Sequence, residues 1–157
     1  LEEGAVFTLD TAQIGGVDST GRKTEVSMEA DAKLFVMEKL MTHDNQTAVS
    51  DMTVEMNGAG SSAQIVSRSV AKGHSVQTFH PIAIGNALCH AHVQCDSIIM
   101  DKAQISSIPE INARDIDAQI IHEAAIGRIN NEQILKLRTF GMTEEEAEAV
   151  IIEDFLA

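Results

Sequence analysis

The chain has 157 residues and a formal net charge of −13, from 24 acidic and 11 basic side chains. This length suits one domain with a sizeable core, and such an acidic surface excludes nucleic acid and acidic lipid as favoured partners. We expect no membrane segment, because no apolar run reaches the length of a spanning helix, and no secretory signal, because LEEGAVFTLD lacks its basic and apolar regions. The two cysteines, Cys89 and Cys95, are therefore expected as free thiols in the reducing cytoplasm.

Alternation of apolar and polar residues predicts strands through most of the chain. Residues 24–37, TEVSMEADAKLFVM, have the two-residue period of one half-buried strand. Residues 51–58, DMTVEMNG, repeat the pattern and end in a turn at Asn57-Gly58. Further strand-like pieces lie around Ile65, at Val76 to Ile84, at Ala91 to Ile99, around Ile105 and at Ile116 to His122.

Repeated short strands without intervening helices are typical of a sandwich, a barrel or a β-solenoid. Aromatic residues make up only 3% of the chain, with no Trp or Tyr, so the interior must be narrow and built from small or branched side chains. Serines such as Ser67, Ser69, Ser75 and Ser97 fall within the strand segments, where stacked rungs can pair small polar groups. These features favour a mainly β solenoid over residues 1–129.

The last residues change to a helical pattern. NNEQILKLRTFG begins with a cap-like Asn130, and its Gly141 suits the position after a helix. TEEEAEAVIIEDFLA opens with a capping box of Thr143 and Glu146. One apolar face at helical spacing then contains Ala147, Val150, Ile151 and Phe155. We predict two helices over residues 130–157 that cap the open end of the solenoid as part of the same domain.

Residues 15–24, GGVDSTGRKT, approximate a phosphate-binding loop. Arg22 separates Gly21 from Lys23, and a strand rather than a helix is predicted to follow. A surface hairpin is the better interpretation, and no nucleotide is expected to bind this chain directly. The tripeptide GHS at residues 73–75 does not by itself establish a nucleophile.

The segment CHAHVQCDSII, residues 89–99, has several side chains that bind metals. In one strand, Cys95 would share the apolar face, while His90 and His92 would lie on the other, about 7 Å apart. His92 is thus a possible secondary metal ligand, and Cys95 is either a ligand or a small core residue. Further along, His122 and Glu123 add candidate ligands. They do not complete the helical zinc motif His-Glu-x-x-His, because the second histidine is absent.

Several segments, in order, resemble the SufB/SufD family of iron–sulfur cluster assembly proteins: SRSVAKGHSVQ, VQCDSIIMDKA, IPEI and IHEAAIGRINNEQILKLRTFGMTEEEAEAVI. QIGGVDSTGRKT, EKLMTH and GSSAQIVSRS are similar to its short SufB-like members. The resemblance covers nearly the whole chain. It implies a right-handed parallel β-helix followed by two C-terminal α-helices, pairing of subunits through their β-helices, and binding of a SufC-type ATPase through the helices.

The resemblance also implies site residues. Cys95 in QCDS matches the SufB cysteine implicated in holding the nascent cluster, and His122 and Glu123 match the SufB segment EHEA, with His122 also matching a SufD histidine. We therefore expect Cys95, His122 and Glu123 to be iron ligands for a transient cluster, since thiolate, imidazole and carboxylate form an exchangeable set. Ile121 replaces the first SufB acid, and ILKLRTFG departs from the family's aromatic helix LFYLxSRG.

These observations predict a cytoplasmic scaffold of a SufBCD-type complex that is not itself an enzyme, with ATP hydrolysis in the SufC-type partner. The chain is expected to form a homodimer or to pair with a SufB/SufD paralogue. We expect Cys95 to be a cluster ligand, and Cys89, in the loop before the strand, not to be one. The alternatives are a carbohydrate-active β-helix enzyme, which needs paired acids and usually exposed aromatics, and an inert structural adaptor.

Overall fold

The computed structural model describes residues 1–157 as a stack of strands followed by two helices. The strands are β1 (Val6–Ile14), β2 (Ser19–Met28), β3 (Lys33–Thr42), β4 (Thr47–Met56), β5 (Ser61–Ala71), β6 (Val76–Gly85), β7 (Cys89–Ile99), β8 (Gln104–Ser107), β9 (Glu110–Ala113) and β10 (Gln119–Gly127). The helices are α1 (Asn131–Thr139) and α2 (Glu144–Leu156). Every paired strand is parallel to its neighbour, which confirms the predicted solenoid.

The strands form two sheets. Sheet A has the order β1-β3-β5-β7-β10, and sheet B has the order β2-β4-β6, with both β8 and β9 paired to β6. The chain therefore passes back and forth between the sheets and adds one coil at a time, as a parallel β-helix does. Each residue pairs with its equivalent one coil later, as Leu34 does with Ala63 and Ala63 with Ala91.

One half of the interior is apolar. Small and branched inward side chains of sheet A pack against methionines and Val54 of sheet B in a single buried cluster. Its members include Met28, Leu34, Val36, Met52, Val54, Met56, Ala63, Ile65, Ala91 and Val93. Because burial of each large aliphatic side chain contributes about 1.5–3 kcal/mol, this cluster is the main source of stability.

The other half of the interior is polar. Glu38, Ser67 and Cys95 occupy one row across β3, β5 and β7. The Glu38 side chain is only 4% exposed, and its carboxylate accepts hydrogen bonds from Arg22 and from the hydroxyl of Ser50, both at 2.9 Å. This pairing compensates a charge that would otherwise be costly to bury.

Small polar groups pair between coils, as the sequence predicts. The Ser69 and Ser97 hydroxyls lie 2.8 Å apart on β5 and β7. The Ser75 hydroxyl lies 2.9 Å from that of Thr42, one coil earlier. Such contacts satisfy buried hydroxyls along the stack.

Two predictions about the first strands were wrong. Residues 24–37 are not one strand, because β2 ends at Met28 and the chain turns, with Asp31 at φ 57°, before β3 begins at Lys33. The alternation continues across this turn because both strands direct apolar residues inward. Residues 15–24 are not a hairpin either, since β1 and β2 belong to different sheets.

The bounds of the last strand also differ from the prediction. The strand predicted at Ile116 to His122 runs from Gln119 to Gly127 instead.

Both helix caps follow the sequence. The Asn130 side chain accepts a hydrogen bond from the amide of Glu132. Thr143 and Glu146 form both bonds of a capping box at 3.2 and 2.8 Å, which satisfies amides that the first turn leaves free. Gly141, at φ +96°, follows α1 in the left-handed conformation that glycine adopts readily. Neither helix is long and apolar enough to cross a membrane.

Helix α2 packs on the outer face of sheet A and not over the last coil, where we expected the helices. Ile152 joins Val70 and Met100 in a second buried cluster, and Lys72 contacts Glu148 at 3.2 Å. In the predicted apolar face of α2, Val150 is exposed, and Ile152 is buried instead. The last strand of sheet A, β10, therefore remains an unpaired edge.

Candidate functional site

The candidate ligands lie on β7 and β10, the last two strands of sheet A. In their parallel register, Cys95 is opposite Ala124 and Val93 is opposite His122. The predicted alternation along β7 is confirmed: Val93 and Cys95 are buried, whereas His90 is exposed. Cys89, predicted in a loop, is the first residue of β7 and is also buried.

Cys89 lies at the closely packed start of β7. A Cβ atom added to Gly85 would stand 2.9 Å from Cys89 Sγ and 2.7 Å from Ala118 Cβ. The glycine thus leaves space that the cysteine fills. Burial raises the pKa of the Cys89 thiol. These features are those of a packed core residue.

Cys95 and His122 are brought together on the inner face of sheet A. Cys95 Sγ lies 3.4 Å from His122 Nε2. The Cys95 side chain is almost fully enclosed, at 3% exposure, whereas His122 is half-buried because no strand follows β10. A thiol and an imidazole therefore meet at the open end of the solenoid, with the imidazole accessible.

The surroundings of Cys95 favour the neutral thiol. Burial raises the pKa of Cys95 most strongly, and the carboxylates of Asp96 and Glu38 raise it further, whereas the nearby hydroxyl of Ser107 acts to lower it. Thiolate is the form that binds metals. A metal ion at Cys95 would therefore have to displace the thiol proton.

Glu123 lies on the opposite face of sheet A from Cys95. It pairs with Gln94, and its Oε2 atom is 3.3 Å from Nε2 of His92. The predicted ligands thus form two pairs, Cys95 with His122 inside and His92 with Glu123 outside, because successive side chains on a strand point to opposite faces. Within one chain, no group of three or more His, Cys, Asp or Glu side chains is arranged to hold a metal ion.

Ser107 is a site residue that the sequence analysis missed. It ends β8 in sheet B and lines a small interior cavity together with Cys95, Ser67 and Phe79. The cavity has room for about one water molecule. Alternation within QISS could have directed Ser107 inward, but only the packing of the two sheets places it near Cys95.

Comparison with known proteins identifies the family. The description "SUF system FeS cluster assembly, SufBD core domain" matches residues 1–155. An iron–sulfur cluster assembly SufBD family protein of Methanocaldococcus jannaschii is 29% identical over 161 residues, which cover 99% of this chain and 50% of that protein. Family proteins of Pyrococcus horikoshii and Archaeoglobus fulgidus are 31% and 27% identical, over 86% and 99% of this chain.

This chain spans about half the length of these relatives, since the matches cover 50%, 44% and 42% of them. The match to the core domain nevertheless extends over nearly every residue, including both strands of the Cys95–His122 pair and both helices. The chain belongs to the SufBD core domain family of the SUF system for iron–sulfur cluster assembly.

Proposed function

We propose that this chain is a scaffold on which a nascent iron–sulfur cluster is held before transfer. The main observation in support of the proposal is the Cys95–His122 pair at the open end of the solenoid, where Sγ and Nε2 lie 3.4 Å apart. Thiolate is the preferred protein ligand of iron in clusters, and imidazole is a weaker, exchangeable one. A site with few protein ligands suits a cargo that must leave, whereas four thiolates would retain it.

The test compares Cys95→Ala with Cys89→Ala after anaerobic reconstitution with iron and sulfide. Both cysteines are buried on β7, so each substitution removes a similar volume from the core. We expect iron, sulfide and visible absorption to be lost with Cys95→Ala and kept with Cys89→Ala. Equal retention in both variants would show that Cys95 is only a core residue.

We further propose that two copies pair through the open end of the solenoid. The last strand, β10, is an unpaired edge of a parallel sheet, and its Ile121 and Ile126 are both 48% exposed. An edge of this kind favours pairing with another chain. Two copies joined there would bring two thiol–imidazole pairs to one interface. A SufB/SufD paralogue in place of the second copy would use the same surface.

Light scattering at tens of micromolar tests the homodimer, because a specific obligate interface persists at that concentration. Ile126→Lys should yield monomers. Val6→Lys is the matched control, since Val6 is 66% exposed on β1, at the other edge of sheet A. A wild-type protein that is only monomeric would exclude the homodimer.

We propose that the helices dock a SufC-type ATPase, which hydrolyses ATP while this chain carries no nucleotide of its own. Leu135 and Phe140 are 62% and 74% exposed at α1, so they offer apolar contacts to a partner. Deleting α2 would expose the buried cluster around Ile152 to solvent. Substitutions of the exposed residues Leu135 and Phe140 are therefore a more specific test.

Leu135→Ala combined with Phe140→Ala should abolish co-purification with the ATPase without lowering the melting temperature. Ile116→Ala serves as the control, because Ile116 is 97% exposed but lies outside the helices. Unchanged co-purification of the double variant would reject this docking surface.

A further inference from the structure

The hydroxyl of Ser107 is enclosed by protein yet has no hydrogen-bond partner. Buried side-chain polar atoms in native proteins are nearly always paired, so an exception calls for an explanation. Ser106, the preceding residue, is exposed to solvent, as alternation along β8 requires. The enclosed hydroxyl is thus directed into the solenoid by the strand itself.

The position of Ser107 brings it toward Cys95 from the opposite sheet. Ser107 pairs with Phe79 on β6, and Phe79 is a buried member of the same core cluster as Cys95. Ser107 and Cys95 line one interior cavity. His122 meets the thiol from within sheet A, at 3.4 Å, so the sulfur lies between groups from both sheets.

We propose that Ser107 is a positioning residue for Cys95, whose hydroxyl donates a hydrogen bond to Sγ and limits the directions in which the sulfur can point. The proposal rests on the proposed function, in which this sulfur holds the cluster. A protonated thiol is a weak acceptor, so this bond is weak in the metal-free chain. A thiolate bound to iron is a stronger acceptor.

Hydrogen bonds to ligand sulfurs are one means by which proteins adjust iron–sulfur sites. The proximity of the hydroxyl already acts against the rise in the pKa of the thiol. Ser107 would thus hold the sulfur toward the open end, where His122 is accessible. No other hydroxyl of β8 can do so, because Ser106 faces outward.

The test is the infrared S–H stretching band of Cys95 in metal-free protein, identified by subtracting the spectrum of Cys95→Ala. We expect the S–H group to donate to His122 while the sulfur accepts from Ser107, so that each bond polarises the other. We expect Ser107→Ala to shift the band to higher frequency and to broaden it. Ser107→Thr, which keeps the hydroxyl, should restore the wild-type band, and Ser106→Ala should leave it unchanged.

A band unaltered by Ser107→Ala, or a Ser107→Thr spectrum identical to that of Ser107→Ala, would overturn the proposal. Because the measurement needs no iron, its result is separate from the reconstitution of the cluster. A failure of wild-type reconstitution would remove the proposed function. The infrared measurement would still establish or reject the hydrogen bond between Ser107 and Cys95. In reconstituted protein, Ser107→Ala should in addition shift the reduction potential of the bound cluster, whereas Ser106→Ala should not.

Discussion

His122 Nε2 lies 3.4 Å from Cys95 Sγ, although 27 positions separate the two residues in the chain. The contact exists because β10 adds to β7 in a register that sets His122 two residue pairs before Cys95 and therefore on the same face of sheet A. The adjacent Glu123 shares none of this environment, since its carboxylate contacts His92 on the outer face.

We therefore expect His122 and Glu123 to differ in their effect on cluster binding. His122→Ala should weaken iron binding by more than the roughly 10-fold typical of losing an outer hydrogen-bond partner, because it removes a direct ligand. Glu123→Ala should leave iron content close to that of the wild type. Iron and sulfide analysis after anaerobic reconstitution measures both. A large loss with Glu123→Ala would instead show that this carboxylate is a ligand, as the resemblance implies.

Stability should fall as the pH rises through the range in which thiols ionise. Burial raises the pKa of both Cys89 and Cys95 above the ordinary value of 9.0, so the folded chain retains protons that the unfolded chain releases. The stabilisation is complete below the unfolded pKa and is lost as the pH rises through the folded pKa. Urea unfolding of Cys95→Ser between about pH 8 and pH 10 should show a shallower decline than the wild type. Equal slopes would contradict the raised pKa.

The partly buried ion pair of Arg22 and Glu38 should be important for folding, because the Glu38 side chain is only 4% exposed. Arg22→Met should cost about 3 kcal/mol, because it leaves the Glu38 carboxylate enclosed without its cation. The double variant Arg22→Met/Glu38→Leu should recover most of this loss. Lys23→Met, which breaks the exposed Lys23–Glu25 contact at 2.9 Å, should change nothing measurable. Urea denaturation measures the free energy of unfolding of each variant. An Arg22→Met variant as stable as the Arg22→Met/Glu38→Leu variant would refute the expectation.

Gly58 should tolerate no side chain. A Cβ atom there would lie 1.9 Å from the backbone nitrogen of Ala30, in the turn of the coil before. The backbone cannot move aside, so Gly58→Ala should lose at least about 4 kcal/mol or fail to fold. Gly21→Ala is the control, because nothing lies within 4 Å of its added Cβ. A melting temperature of Gly58→Ala equal to that of the control would show that the coils pack less closely than described.

The properties that the sequence determined by itself are those set by neighbours along the chain. Alternation directs Val93 and Cys95 inward, and the capping residues Asn130 and Thr143 start the helices where they were expected. Scarce aromatics and repeated short strands favoured a solenoid over a sandwich or a barrel. These signals are local, because strand alternation and helix capping involve residues only a few positions apart.

The tertiary structure alone decided which of these residues meet. The division of residues 24–37 into two strands depends on a turn that preserves the alternation, so the pattern on both sides is the same. The place of α2 on sheet A depends on apolar residues of several coils, among them Val70 and Met100. The meeting of Cys95 with His122 and Ser107 depends on register and sheet packing, since a slip of one residue would direct His122 to the other face.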